Sequence, residues 1–197
     1  NRAGSRFLAG WRAPRAALDL FLLGASVYCV DKATPREAAA DVWTRDLSVE
    51  LPVADSDAWA AAPWKETLDF LTGDNWTLKP YRDDASPLDG VGRVPEEITP
   101  VAAVDAVTLF SGGLDSLTGV IDLLEEDPSR RLCLISHNEG DQASTAQKKL
   151  TDALCEHYGE DRLELRSIFL RPAPTAAGQA RPLPRERETT TRARSLL

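Results

Sequence analysis

Ser111-Gly112-Gly113-Leu114-Asp115-Ser116 stands between the apolar run Val107 to Phe110 and a run that continues through Leu117, Val120 and Ile121. A short β-type stretch, a pair of glycines and then helical spacing read as strand, turn and helix. The residues that follow repeat the alternation. Asp105 to Phe110 is a strand, Ser116 to Glu126 a helix, Arg131 to Ser136 a strand, Ala143 to Tyr158 a helix and Leu163 to Leu170 a strand. Strand and helix in alternation give a parallel sheet with helices packed on its faces. The fold class expected is therefore α/β, a Rossmann-like parallel sheet with helices on both faces.

In an open parallel sheet, ligands sit outside the C-terminal strand ends. The first turn of a helix that starts there offers unpaired N–H groups and the positive end of the helix dipole. Gly112 and Gly113 let the backbone curl so that successive N–H groups face one anion, and Ser111 and Ser116 add hydroxyl donors. Each charge-assisted bond is worth about 1.5–3 kcal/mol, so four or five can hold a pyrophosphate. Asp115 would repel phosphates unless Mg2+ lies between, an ion that takes carboxylate and phosphate oxygens together. Capping the helix is its other reading. An ordinary α/β turn with a good cap would show these two Gly, two Ser and one Asp about once in several thousand chains, on average residue usage. The rival Walker pattern needs a Gly-Lys pair, which the chain lacks, and no G-x-G-x-x-G is present.

Ahead of this part lies a different one. Pro14 to about Asp31 reads as a largely buried helix, with Leu18, Phe21, Leu22, Ala25, Tyr28 and Cys29 near helical spacing. Leu47, Val49 and Leu51 alternate with Ser48 and Glu50, which is a half-buried strand. Asp55-Ser56-Asp57 supplies a cap before a helix from Ala58 to Leu71, Thr72-Gly73-Asp74 closes it, and Asn75 to Arg82 is another strand. This is a small α+β domain at 1–82. A linker with Pro87, Gly90, Gly92, Pro95 and Pro100 fills 83–103, and the nucleotide domain runs over 104–197. All five tryptophans fall in the first part. A core filled by large side chains is the commoner explanation for them, and a stacking surface for a base is the rarer one.

The chain has 197 residues, 43% apolar and 27% charged, as expected of a soluble globular protein. It begins with Asn1 and has no Met, and Glu188 to Leu197 reads as a helix start that should continue, so a fragment of a longer chain is expected. Net charge is −8, which argues against a broad nucleic-acid surface. Five Arg against two Glu give a local +3 from Gln179 to Leu197. No run is long and apolar enough for a membrane span. Cys29, Cys133 and Cys155 are odd in number and form no C-x-x-C, so a reducing, cytoplasmic setting without disulfides is expected.

The SGGxDS run at Ser111 to Ser116 resembles the signature of the PP-loop ATP pyrophosphatases. Thr108 to Ser116, Ser136 to Gln142 and Arg185 to Ser195 resemble 7-cyano-7-deazaguanine synthase (QueC), and most of all the QueC-like proteins of bacterial anti-phage loci, the QatC type. In the front part, Trp43 to Pro52 and Phe70 to Trp76 resemble that type as well. The resemblance implies ATP bound over Ser111, Gly112, Gly113, Leu114, Asp115 and Ser116 and split between its α and β phosphates, with Mg2+ held through Asp115. It places adenine or ribose near His137, at the end of the second strand of the domain. It sets Arg192 and Arg194 against the triphosphate, where a guanidinium would stabilise the leaving pyrophosphate. The implied reaction is adenylation of a carboxylate, a 7-deazaguanine acid for QueC, followed by displacement of AMP by an amine. For the defence relatives it extends to a protein-borne acid and to partner proteins of the same operon. The zinc site of QueC would fall after Leu197. QueC carries a Tyr-Gly-Gln-Arg-His-like sequence where this chain has His137 to Gly140, which leaves the acid open. Two rivals stay open: another PP-loop enzyme such as a tRNA-modifying ligase, and a non-catalytic ATP-binding subunit of a defence complex.

Overall fold

The computed structural model describes residues 13–88, 103–138 and 141–170, and these fall into two compact units, one on each side of residue 90.

In the first unit, α1 (Arg15–Ala33) leads to β1 (Asp46–Val53), α2 (Ser56–Ala61), α3 (Trp64–Thr72) and β2 (Asn75–Arg82). β1 and β2 pair in parallel, with Leu47 opposite Trp76 and Val49 opposite Leu78. The alternation read along β1 is the one observed: Leu47, Val49, Leu51 and Val53 are buried and Ser48 and Glu50 exposed. The helix expected as one piece from Ala58 to Leu71 is two, because Pro63 lies at the break and cannot donate a helical hydrogen bond. Asp55 caps the first piece by accepting from the Ala58 amide at 3.0 Å. Gly73 ends the second at φ +73°, the left-handed conformation that a C-cap asks of glycine.

The buried face of α1 differs from the expected one. Of the six residues named from the periodicity, only Tyr28 is fully buried, and the inward stripe is Asp19, Leu23, Gly24, Val27, Tyr28 and Asp31. Two carboxylates sit on that stripe because each finds donors there. Asp19 accepts from Arg15 Nε at 2.7 Å and from the Ala54 amide at 2.9 Å. Asp31 accepts from Arg45 Nη2 at 2.5 Å. The same guanidinium reaches Asp74, which also takes two bonds from Arg36. Burial pushes both carboxyls up. For Asp31 burial wins and its pKa is raised, whereas for Asp74 the hydrogen bonds and charges of Arg45 and Arg36 win and hold it below the ordinary value.

The tryptophans divide. Trp76 is buried in the core and donates its indole N–H to Thr72 Oγ1 at 2.8 Å. Trp59 and Trp64 stack at 5.0 Å between ring centroids and pack on the same core. Trp43 is 57% exposed, with the Arg36 guanidinium 4.8 Å from its ring. Trp11 lies outside the described residues.

In the second unit, β3 (Ala106–Leu109), α4 (Leu114–Glu126), β4 (Leu132–Asn138), α5 (Asp141–Tyr158) and β5 (Leu163–Phe169) alternate as expected. All pairings are parallel and the order is β3-β4-β5. Leu132 and Leu134 of β4 meet Val120 and Leu124 of α4 and Leu154 of α5 in one buried cluster with Phe110 and Leu163. Both described helices therefore cover one face of this sheet. The expectation of helices on both faces is met on one face among the described residues. On the other, Val107 and Leu109 stand 57% and 63% exposed. The architecture is α/β, built on small parallel sheets. Among the described residues, no helix is long and apolar enough to cross a membrane.

Candidate functional site

β3 carries its ladder one residue beyond the strand, where the Phe110 amide donates to Ile135 O at 2.7 Å. Phe110 is fully buried and anchors the end of the strand in the core. The chain then turns within three residues. Gly112 takes φ +80°, a conformation that costs a side-chain-bearing residue about 1–2 kcal/mol. Gly113, expected to share that role, instead sits at φ −85° and ψ 169°, which any residue adopts, and is the N-cap of α4.

No side chain caps α4. The N–H groups of Leu114, Asp115 and Ser116 lie in its first turn, where an α-helix offers no carbonyl partner. The capping role weighed for Asp115 is thus not the one observed. Its carboxylate is exposed in the first turn, and no ion pair with another described residue involves it. The two serines close over the turn: Ser111 Oγ lies 3.1 Å from Ser116 Oγ, accepts from the Gly113 amide at 3.2 Å, and Ser116 Oγ donates to Gly113 O at 2.9 Å. Ser111 Oγ therefore occupies an acceptor position in front of the Gly113 amide, the position an anionic oxygen takes when amides of such a turn bind one.

His137 is at the same edge of the sheet. Leu109 pairs with Ile135, so Ser111 and His137 are each two residues past one register pair. The sequence reading named both but missed the residue that joins them. Gln147, 2% exposed on α5, donates from Nε2 to Ser111 O at 3.2 Å and to His137 O at 3.4 Å. The signal was there: Gln147 leads Leu150, Thr151 and Leu154 at helical spacing, a polar side chain on an inward stripe. Ser136 and Ser167 lie near neighbouring strand ends, and their hydroxyls are 2.8 Å apart, a pairing the sequence does not signal.

Arg192 and Arg194 lie outside the described residues, as do Thr189 to Thr191, Arg185, Arg187, Gly140 and residues 89–102 of the linker expected at 83–103. Gln142 falls in the first turn of α5. His157 is in the last turn of α5, exposed, with its ring edge-on to Tyr158, as a solvated histidine at a negative helix end should be. The three cysteines are free, and burial raises the pKa of each, the opposite of what a reactive thiolate needs. No group of three or more His, Cys, Asp or Glu gathers among the described residues. A cation at Asp115 would take its remaining ligands from phosphate oxygens and water, which is how Mg2+ ordinarily binds beside a nucleotide.

No family model, no curated protein and no solved structure matches the chain.

Proposed function

We propose that the chain binds Mg-ATP over Ser111 to Ser116 and uses it to adenylate a carboxylate, releasing pyrophosphate. The observation that carries this reading is the uncapped start of α4 behind a positive-φ glycine, at the C-terminal edge of a parallel sheet. Such a turn offers several amides and two hydroxyls to one polyanion, and a carboxylate for its cation. The resemblance to PP-loop enzymes supplies the reaction and the QatC likeness its setting, an anti-phage locus with a 7-deazaguanine acid as substrate.

The division of labour follows from the chemistry. The amides of the turn and the hydroxyls of Ser111 and Ser116 bind the β and γ phosphates and keep the α-phosphorus open to attack. Asp115 would hold Mg2+, which would supply positive charge beside the phosphates. A carboxylate oxygen of the acid bonds to the α-phosphorus as the bond to the bridging β-phosphate oxygen breaks, giving acyl adenylate and pyrophosphate. An amine then adds to the acyl carbon, AMP leaves, and an amide remains. No nucleophile on the protein is required, so positioning and charge stabilisation provide the acceleration. Arg192 and Arg194 would face the leaving group, His137 the nucleoside.

Quantifying AMP plus pyrophosphate against ADP plus phosphate, with ATP and candidate deazaguanine acids, tests the reading. AMP and pyrophosphate formed in step with acid consumption support it. ADP and phosphate, or ATP bound without turnover, refute the adenylation step, and the latter points to the assembly role.

A further inference from the structure

Gln147 is a buried polar side chain, 2% exposed, at this edge of the sheet. Its Nε2 donates to the carbonyls of Ser111 and His137. Its Oε1 is buried and has no hydrogen-bond partner among the described residues. The side chain lies against Gly112, where an added β-carbon would come within 3.1 Å of Gln147 Cγ.

A buried amide with one end unsatisfied is a poor choice for stability. An apolar side chain of the same length would pack on the Leu150 and Leu154 stripe without stranding an acceptor. The consequence of the bond to Ser111 is geometric. The peptide linking Ser111 to Gly112 is planar and trans, so its C=O and its N–H point in opposite directions. Holding the Ser111 carbonyl inward, on Gln147, turns the Gly112 N–H outward, towards the mouth of the turn. The same amide ties the turn to the end of β4 at His137.

We propose that Gln147 is the positioning residue of the phosphate turn, aiming the Gly112 amide through one peptide plane and fixing the turn to the end of β4. The inference rests on the reading of that turn as an ATP site. It gives the protein a polyphosphate contact whose strength is set from behind, by a residue that touches no ligand.

The test uses the full chain and three probes: ATP, inorganic tripolyphosphate and adenosine. Gln147→Met should keep or raise Tm and weaken both ATP and tripolyphosphate by about tenfold, the loss of one well-aimed hydrogen bond. Adenosine affinity should not change. A merely structural glutamine would instead lower Tm and leave the affinities of the folded protein alone. An unchanged Gln147→Met affinity for tripolyphosphate overturns the inference while ATP binding by the wild type stands. A wild type that binds neither ATP nor tripolyphosphate overturns the ATP reading with it. If Gln147→Met does not fold, NMR of the wild type decides. Tripolyphosphate should shift the Gly112 amide resonance, with the Gln147 side-chain amide protected from exchange. A Gln147 amide that exchanges as fast as a solvent-exposed one, or an unmoved Gly112 resonance, counts against the proposal.

Discussion

Gly112 and Gln147 share a space that admits only one side chain: a β-carbon on Gly112 would stand 3.1 Å from Gln147 Cγ. Gly112 is also at φ +80°, so Gly112→Ala meets both a steric and a backbone penalty. The backbone term alone is about 1–2 kcal/mol. Gln147 Cγ is part of a flexible side chain, so the chain should still fold, with Gln147 displaced from Ser111 O. The expected outcome is a modest fall in denaturation midpoint and a loss of pyrophosphate release larger than the stability loss explains. Gly113→Ala, at an unstrained φ of −85°, should be the milder of the two for stability, which parallel urea titrations would show.

Ser111→Ala removes the hydroxyl that bridges Ser116 Oγ and the Gly113 amide, and Asp115→Asn removes the exposed carboxylate of the first turn. Both positions are exposed, so stability should stay within about 0.5 kcal/mol of the parent. Each variant should nevertheless abolish pyrophosphate release. They are told apart by a Mg2+ titration of ATP binding. Ser111→Ala should keep the Mg2+ dependence of the wild type at lower affinity, and Asp115→Asn should flatten it. Full pyrophosphate release from Asp115→Asn would remove the metal-linked role.

Much of this was legible beforehand, for reasons that differ from element to element. The back half is written in strands whose inward positions are aliphatic, such as Leu132 and Leu134, and in helices with repeated leucines, so period and burial coincide. Asp55 and Gly73 mark helix ends because each answers a local backbone need. What was misread involved polar groups whose partners are distant in sequence. The stripe of α1 was placed on the wrong residues because Asp19 and Asp31 hide in it, satisfied by the Ala54 amide and by Arg45. Gln147 was passed over on the same ground, since its bonds lead to Ser111 and His137 on other elements. Pro63 was the one local signal that the reading of Ala58 to Leu71 ignored.

Asp74 accepts from both Arg36 and Arg45, and all three are buried. Removing the carboxylate would take from both guanidiniums the carboxylate that they share in the core. Asp74→Ala should cost about 3–5 kcal/mol, the range for breaking a buried ion pair by removing one partner. Chemical denaturation of the first unit, followed by Trp76 fluorescence, would measure it. A loss under 1 kcal/mol would mean that water reaches the cluster.

The two carboxylates around Arg45 should give opposite dependences on pH. Asp74 titrates below its ordinary value of about 3.9 in the fold. Its contribution is fully present above that pH and is lost as pH falls through the lowered folded value, because the unfolded chain binds the proton first. Asp31 titrates above its ordinary value. There the folded state holds the proton longer, so the contribution is greatest below about pH 3.9 and declines as pH rises through the raised folded value. Stability measured against pH should therefore show the wild type gaining on Asp74→Asn as pH rises towards 4, and losing ground to Asp31→Asn as pH rises beyond 4. Gaps that run in the same direction for both variants would show that one guanidinium does not divide its charge between a favoured and a disfavoured carboxylate. In that case Oδ2 of Asp31, which has no partner among the described residues, must find a donor in solution.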